Sequence, residues 1–386
     1  MINLIGIGYD IGDLTVNAFS AIIEADIIIN FDNIDISDLD SYTKDKEIID
    51  RDSIKSEEDL DTLSEDMIQL EEDSEEISND SKAIYSKLNE SYSLIELAIS
   101  KSFDNDVALI CSNNPNIYGI ANLLIQISSK YSDVELKIHP GVSPIDYASS
   151  ILGAPFDDFI AIDLNKTLSS SKELTNKIKF AIRNDVVLFI HNIIGEEDDL
   201  MDNFNLLKEL VNEYGKDLLV AAVNDSSYEI SKFNEIDEKK LNRNTSLVIG
   251  TKLSYKLEDY MVTSCDYIVE PKFISQNMDF FERYLKDETP QELDYDCDYL
   301  PCHKSLEACD FCYCPFYPCA DGVTGGEWIK DKDVWSCQYC DWIHLEEPCQ
   351  TIRQGLGDIL KDVDDLKDKH IELLRLRREC LLKTLK

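Results

Sequence analysis

The chain has 386 residues, with 77 acidic against 37 basic side chains and a formal net charge of −40. This acidity excludes a nucleic-acid-binding protein, because binding to a phosphate backbone requires a basic surface. No apolar run approaches the ~18 residues of a transmembrane helix, so no membrane association is expected. The length is sufficient for two or three domains, each with a sizeable core.

Residues 1–138 are predicted to form an N-terminal α/β lobe. Residues 2–7 form a short apolar run, residues 14–25 have helical spacing, and residues 26–30 form another apolar strand. Residues 57–80 then contain twelve acidic residues and neither Lys nor Arg. Such a segment cannot bury enough apolar surface to become ordered. We therefore expect a solvated, disordered acidic insertion here, in preference to an acidic partner-binding segment.

Residues 139–285 are predicted to form a second α/β lobe. Across both lobes, predicted strands cover residues 107–111, 134–138, 159–163, 186–191, 218–223 and 246–250, with helical stretches between most of them. This alternation is typical of an α/β protein with mostly parallel sheets. Open sheets of this kind bind ligands at the carboxyl ends of their strands, so the loops there are the candidate site.

Residues 292–350 form a cysteine-rich module that contains nine of the twelve cysteines of the chain. They are Cys297, Cys302, Cys309, Cys312, Cys314, Cys319, Cys337, Cys340 and Cys349. A module of this size rarely has enough apolar core, so metal or disulfide bonds must stabilise it. No secretion signal precedes the first predicted strand, so we expect a cytoplasmic, reducing compartment and metal ligation by the thiolates rather than disulfide bonds. Two zinc sites would use eight thiolates and one [4Fe–4S] cluster would use four, and the spacing leaves both open.

The last segment, residues 355–386, is predicted to be a charged helix. Its apolar residues are spaced like a heptad repeat, at Leu356, Ile359, Val363, Leu366 and Leu373. Such a stripe packs either on its own domain or along the seam of a homodimer. We expect a homodimer, and the sequence leaves open whether this helix forms its interface.

Three loops that follow predicted strands are rich in glycine and polar residues. They read GIGYDIGDLT from Gly6, SNNPNIYGIA from Ser112, and PGVSPIDYASSILGAP from Pro140. In this order they resemble the tetrapyrrole methylase family, whose marks are a GxGxGD-like loop, a Ser-Gly-Asp-x-x-Ile-Tyr-Gly loop, and Pro-Gly-Val-Thr/Ser followed by Leu-Gly-Ala-Pro. The combination of IYG with LGAP looks most like the precorrin-3B C(17)-methyltransferase branch of cobalamin biosynthesis. The strings CDYLPCHK, CDFCYCPFY and CQYC also resemble a small cysteine-rich, metal-binding type of domain that is attached to some corrin-pathway methyltransferases.

The resemblance implies a two-lobe enzyme that transfers a methyl group from S-adenosylmethionine to a carbon of an anionic corrin precursor, of the cobalt-precorrin-3B type. Members of the family bind the donor mostly through main-chain atoms. The positions that contact the donor in the family fall here on Tyr9, Ser112, Asn113, Asn114, Ile117, Ser143, Pro144 and His191. No catalytic side chain is singled out, because an activated methyl donor requires alignment above all.

Three of these positions depart from the family pattern. Tyr9 replaces a proline, and Asn113 and Asn114 replace the glycine and the aspartate of the second loop. Asparagine tolerates the left-handed backbone conformation and accepts hydrogen bonds, so the loop could keep its shape. The lost carboxylate would weaken recognition of a cationic donor. We expect an active methyltransferase, with a non-catalytic metal-binding or carrier protein on the same scaffold as the alternative.

Overall fold

The computed structural model describes residues 1–54, 79–164, 171–193, 200–215, 217–224, 227–242, 244–265 and 267–385. These residues divide into two compact units, Met1–Tyr147 and Ala148–Lys386. The acidic segment predicted to be disordered, residues 57–80, lies outside the described residues except at its end. Its last two residues begin a helix.

The first unit is built around a five-stranded parallel sheet with helices on both faces. Its strands are β1 (Ile2–Gly6), β2 (Ile27–Asn30), β3 (Glu47–Asp50), β4 (Val107–Cys111) and β5 (Leu136–His139). Its helices are α1 (Val16–Glu24), α2 (Asp40–Thr43), α3 (Asn79–Ser102), α4 (Ala121–Ser128) and α5 (Pro144–Leu152), the last of which continues into the second unit. The strand order is β3-β2-β4-β1-β5. Side chains of β1 alternate between two cores, with Ile2 packed in the core of α3 and Ile5 in the core of α1.

The second unit contains a five-stranded mixed sheet and a smaller three-stranded sheet. The strands of these two sheets are β6 (Gly153–Ala154), β7 (Phe159–Asp163), β8 (Val187–His191), β9 (Leu219–Val223), β10 (Tyr228–Lys232), β11 (Ser246–Ile249), β12 (Ser254–Leu257) and β13 (Tyr260–Thr263). Helices α6 (Ser171–Arg183) and α7 (Leu200–Tyr214) pack in the core of the five-stranded sheet. The order of that sheet is β10-β9-β11-β8-β7, and the smaller sheet has the order β12-β13-β6.

The predicted α/β class is confirmed, and the two sheets differ in strand direction. Every pair of neighbours in the first sheet is parallel. In the five-stranded sheet of the second unit, β7 and β8 are parallel, whereas β11 runs antiparallel between β8 and β9. β10 returns antiparallel to β9 after a connection too short for the crossover that a parallel strand needs.

The cysteine-rich segment is enclosed by helices. It follows α8 (Ser275–Tyr284) and contains two short strands, β14 (Glu327–Trp328) and β15 (Trp335–Ser336). Helices α9 (Glu346–Ile359), α10 (Asp365–Asp368) and α11 (His370–Thr384) come after it. Phe311, Phe316 and Trp342 of the segment are buried with the leucines of α9 and α11 in one hydrophobic core. The module therefore shares its core with the helices around it.

The prediction of a single helix over residues 355–386 is wrong. Helix α9 ends at Ile359 and α11 begins at His370. The Asp365 carboxylate accepts hydrogen bonds from two backbone N–H groups of the preceding turn, at 2.7 and 3.1 Å. These bonds, in which a side chain at the start of α10 reaches back to the segment before it, stabilise the turn between the two helices.

The heptad-spaced leucines lie inside the second unit. Leu356, Leu366 and Leu373 are buried in the core that contains the aromatic residues of the cysteine-rich segment. The stripe is thus covered by its own chain and is not an open dimer seam. The expected homodimer stays a prediction.

Short 3-10 helices complete the described secondary structure, at Ile11–Asp13, Ser37–Leu39, Arg51–Ile54, Phe233–Glu235, Glu238–Lys240, Gly322–Thr324 and Trp342–His344. Among the helices in the described ranges, none combines the length and the apolar character that a membrane crossing needs.

Candidate donor site and cysteine clusters

The three predicted loops meet at one edge of the first sheet. Strand β1 lies between β4 and β5, and all three are parallel, so their carboxyl ends lie at the same edge. The loops after β1 and β4 are joined by two backbone hydrogen bonds between Gly8 and Asn113, with N···O distances of 3.3 and 2.9 Å. Strand β2, the next in the sequence, lies on one side of β1, and β5 lies on the other. The strand order therefore reverses direction at β1, and open sheets bind ligands at such a switch point.

Backbone atoms of the three loops are in direct contact. A β-carbon on Gly6 would lie 2.3 Å from the carbonyl oxygen of Asn113. A β-carbon on Gly141, in the third loop, would lie 2.2 Å from the same oxygen and 2.7 Å from the nitrogen of Gly8. Glycine is therefore required at both positions by close approach of main chain to main chain. The edge presents backbone groups held in fixed positions.

The second loop keeps a tight shape with its two asparagines. Asn113 has φ of 54°, in the left-handed region that glycine or asparagine adopts at low cost. The side-chain oxygen of Asn114 accepts a hydrogen bond from the N–H of Asn116 at 3.0 Å. The backbone oxygen of Asn114 accepts one from the N–H of Ile117 at 3.1 Å. These contacts form an Asx-type turn.

The remaining first-unit candidates have structural partners of their own. Tyr9 stacks on Tyr147, with ring centroids 3.9 Å apart. Ser143 is fully buried, and its hydroxyl donates to Asp146 at 2.7 Å and accepts from the N–H of that residue at 3.1 Å. Ser143 thus caps helix α5, and Pro144 occupies the first helical position, where its missing N–H costs nothing.

His191 lies in the second unit, at the end of β8. Its Nδ1 atom is 2.9 Å from the Ser246 hydroxyl. Burial lowers the pKa of His191, and the nearby Asp163 carboxylate partly opposes that change. Its ring is therefore predominantly neutral near pH 7.

Asp32 lies beside the second loop and was not singled out from the sequence. Its carboxylate accepts hydrogen bonds from both the N–H and the hydroxyl of Ser112, each at 2.8 Å. Asp32 follows β2, which neighbours β4, so the contact depends on the strand order. The sequence signal that could have identified Asp32 is its position as an acidic residue shortly after a buried strand. The edge therefore retains a carboxylate beside the loop in which Asn114 replaces the aspartate of the family.

Four cysteines form a first cluster, Cys297, Cys302, Cys309 and Cys312. The Cys309 thiol lies 3.5 Å from the N–H of Asp294, and the Cys312 thiol lies 3.6 Å from the carbonyl oxygen of Cys309. Burial, together with the charges of Cys309, Cys302 and Cys297, raises the pKa of Cys312 to about 11. Burial also raises the pKa of Cys302, with added effects from the charges of Cys309 and Cys297.

Four others form a second cluster, Cys314, Cys319, Cys337 and Cys340. The N–H of Cys340 donates to the carbonyl oxygen of Cys337 at 3.0 Å, in a tight turn. Burial raises the pKa of Cys337 to about 12, with added effects from Cys319 and Cys340. Burial raises the pKa of Cys314, and the charges of Cys337, Cys319 and Cys340 act in the same direction.

The ninth predicted ligand, Cys349, lies near the first cluster, since burial raises its pKa to about 12 with an added effect from the charge of Cys309. It is buried in the hydrophobic core at the start of α9, and its thiol donates to the carbonyl oxygen of Ile343 at 3.0 Å. All twelve cysteines lie in the described ranges, and there each is a free thiol. Among the described residues, no group of three or more Cys, His, Asp or Glu side chains is already arranged as a set of metal ligands.

The comparisons with known proteins define the class. Residues 1–237 match the family of tetrapyrrole (corrin/porphyrin) methylases, and residues 291–367 match the family described as a cysteine-rich small domain. The chain belongs to the tetrapyrrole methylase family, and the predicted methyltransferase class is confirmed.

Individual relatives carry a more specific name. The chain is 34% identical over 389 residues to a probable cobalt-factor III C(17)-methyltransferase of Methanothermobacter thermautotrophicus, covering 99% of this chain and 100% of that protein. A protein of the same name in Methanocaldococcus jannaschii is 27% identical over 203 residues, covering 48% of this chain and 81% of that protein. The crystal structure of the methyltransferase CobJ shares the fold, with a TM-score of 0.51 at 15% identity, over 68% of this chain and 99% of that chain.

Proposed function

We propose that this protein transfers a methyl group from S-adenosylmethionine to C17 of cobalt-factor III, a corrin precursor of the cobalt-precorrin-3B type in cobalamin biosynthesis. The choice of substrate rests on the relative of that name, which matches over nearly the whole chain. The structural observation that supports it is the contact among the three loops after β1, β4 and β5, which makes a preformed backbone edge. The protein would work in the cytoplasm as a homodimer.

S-adenosylmethionine, when bound, supplies a methyl group that its sulfonium already activates for in-line displacement by an electron-rich carbon. The task left to the protein is alignment, which a rigid main-chain edge performs without acid–base chemistry. Hydrogen bonds from the backbone N–H groups of Ser112, Asn113 and Ile117 fix the shape of the second loop. Ser143 and Pro144 fix the third loop at the start of helix α5.

Asp32 supplies the negative charge that the second loop lacks. Its carboxylate is exposed at the edge and oriented by two hydrogen bonds from Ser112. A cationic sulfonium is attracted to such a carboxylate, whereas the neutral thioether product is not. We assign to Asp32 the donor-recognition role that the aspartate replaced by Asn114 has in the family pattern.

The two cysteine clusters are proposed as two four-thiolate metal sites. The donor set is soft and all-sulfur, which suits zinc or an iron–sulfur centre. Cys297, Cys302, Cys309 and Cys312 would hold one centre, and Cys314, Cys319, Cys337 and Cys340 the other. Cys349, although near Cys309, would hold neither, because its buried thiol donates to the carbonyl oxygen of Ile343. A cytoplasmic setting would keep these thiols reduced.

Calorimetry with the purified, folded protein tests the enzyme assignment. S-adenosylmethionine and S-adenosylhomocysteine should each bind with a saturable heat. Incubation with labelled donor and cobalt-factor III under anaerobic conditions should transfer one methyl group to the corrin, detected by mass spectrometry. Absence of donor binding at millimolar concentration would exclude the proposed reaction. Donor binding without methyl transfer to this corrin would exclude the substrate.

A further inference from the structure

Arg377 of helix α11 is a buried cation beside the second cysteine cluster. Its side chain is 5% exposed, in a helix whose neighbouring Arg375 is exposed to solvent. Its guanidinium forms an ion pair with Asp321 and donates to the Thr324 hydroxyl at 3.3 Å. Burial disfavours the cation, yet the negative charges of Cys319 and Asp321 prevail and raise the pKa of Arg377.

Thr324 connects this cation to the second cluster. Its hydroxyl oxygen lies 3.1 Å from the sulfur of Cys340. While Arg377 donates to that oxygen, the single hydroxyl proton is free to donate in turn to a thiolate sulfur. With Cys340 as a thiolate, each group in this series donates a hydrogen bond to the next: the guanidinium to the hydroxyl, and the hydroxyl to the sulfur. This arrangement suits a thiolate at Cys340.

The charge of a loaded site requires such a partner. Four thiolates around a divalent zinc ion leave two negative charges, and so does a [4Fe–4S] cluster in its usual oxidised state. A buried, uncompensated charge is costly in a medium of low dielectric constant. Asp321 adds a further negative charge to the same region, and its carboxylate also accepts a hydrogen bond from Ser264 at 2.9 Å.

We propose that Arg377 is the counter-cation of a metal centre at Cys314, Cys319, Cys337 and Cys340, and that its contacts with Asp321 and Thr324 couple the docking of helix α11 to occupancy of that centre. The inference rests on the proposed metal sites. It assigns to the C-terminal helix a positioning role in the second site alone, since none of the described contacts of Arg377 is with the first cluster.

The test uses full-length protein with its metal and three variants of α11. Arg377→Met removes the charge and keeps an apolar side chain, Arg377→Lys keeps the charge, and Arg375→Met is the exposed control. Metal content is measured by elemental analysis, and metal release to a coloured chelator is followed over time. We expect Arg377→Met to release metal from one of the two sites faster by on the order of a hundredfold, the scale for removing one partner of a buried charge pair. Arg377→Lys should restore most of the wild-type rate, and Arg375→Met should match the wild type.

A Cys302→Ser background assigns the affected site, because it disables the first cluster and leaves the second. In that background, Arg377→Met should remove the remaining metal. If Arg377→Met does not fold, Thr324→Val removes the connecting hydroxyl at nearly constant volume and should accelerate release from the same site. Equal release from the wild type and both variants would overturn the role of Arg377 while leaving the metal sites intact. A wild-type protein without metal would overturn the sites themselves and this inference with them.

Discussion

The loop edge of the first unit and the cysteine-rich segment of the second are built by opposite means. At the edge, backbone hydrogen bonds and close glycine contacts hold three loops together. In the cysteine-rich segment, regular structure is limited to two strands of two residues and two short 3-10 helices. There the recurring features are eight thiols in two clusters and a shared apolar core.

This difference predicts where each region is sensitive. A site made of main chain tolerates changes of side chain, as the replacement of the family glycine and aspartate by Asn113 and Asn114 illustrates. It is sensitive to any atom added at its backbone contacts. A site made of thiols tolerates irregular backbone but depends on each ligand, because binding of the metal is part of the folding free energy.

The largest effect is expected from removing a thiol of the first cluster. Cys312→Ser should abolish one metal site, whose binding contributes on the order of 10 kcal/mol to folding. Elemental analysis should show the loss of that metal, and limited proteolysis should cut within residues 292–345 while both lobes stay folded. A visible absorption band lost together with iron would identify an iron–sulfur centre, and loss of zinc a structural zinc site.

Cys349→Ala is the matched control for this variant. It should keep the full metal content and lose about 1 kcal/mol of stability with its buried hydrogen bond to Ile343. Loss of a metal from Cys349→Ala would show that the grouping into two sets of four is wrong. Unchanged metal and protease resistance in Cys312→Ser would contradict the need for metal.

Adding one methyl group at the loop edge should produce the next largest effect. Gly141→Ala places a carbon 2.2 Å from a backbone oxygen, which cannot move without displacing the second loop. We expect a loss of about 1–3 kcal/mol in the free energy of unfolding, as for other overpacked sites. Calorimetry should show weaker binding of S-adenosylmethionine by about tenfold or more, which corresponds to ~1.4 kcal/mol.

Gly357→Ala provides the comparison within the same chain. A β-carbon there meets no atom within 4 Å, and the residue lies in helix α9. Alanine should therefore stabilise the protein by up to about 1 kcal/mol in thermal unfolding, with donor affinity unchanged. If Gly141→Ala binds the donor as tightly as the wild type does, the loop edge is not the binding site.

A smaller effect is expected at Asn113, where backbone conformation is the only issue. Alanine at φ of 54° costs about 1 kcal/mol more than asparagine, so Asn113→Ala should weaken donor binding about fivefold. Asn113→Gly, which restores the family residue, should bind as well as the wild type. If both variants bind equally well, the left-handed conformation has no part in the site.

The smallest effect is expected from Asp32→Asn. The carboxylate is exposed, so its interaction with a cation is worth about 1 kcal/mol or less, at most about fivefold in affinity. The loss should appear for S-adenosylmethionine and not for S-adenosylhomocysteine, because only the former has a positive sulfur. Titration calorimetry with both ligands checks this. An equal loss for both would assign Asp32 to loop shape rather than to charge.

Local sequence patterns were sufficient for the class of the protein. The strings GIGYDIGDLT, SNNPNIYGIA and PGVSPIDYASSILGAP indicated the tetrapyrrole methylase family, and the apolar runs of β1, β4 and β8 were recognised as strands. Each of these signals lies within a few residues of chain, where side-chain period and glycine position reflect the backbone directly. The same local reading failed for residues 355–386, where the heptad-like spacing continues across a turn that the Asp365 carboxylate stabilises.

Only the tertiary structure decided which distant residues meet. Asp32 and Ser112 are 80 positions apart, and they touch because β2 lies beside β4 in the sheet. Arg377 and Asp321 are 56 positions apart. The sequence shows only an arginine that interrupts an apolar stripe, and its burial could not be predicted without knowledge of its partners. The grouping of eight cysteines into two clusters, with Cys349 buried beside the first, likewise follows from chain folding and not from spacing. The sequence by itself determines local conformation and family, whereas contacts between remote segments depend on strand order and helix packing, which no short pattern encodes.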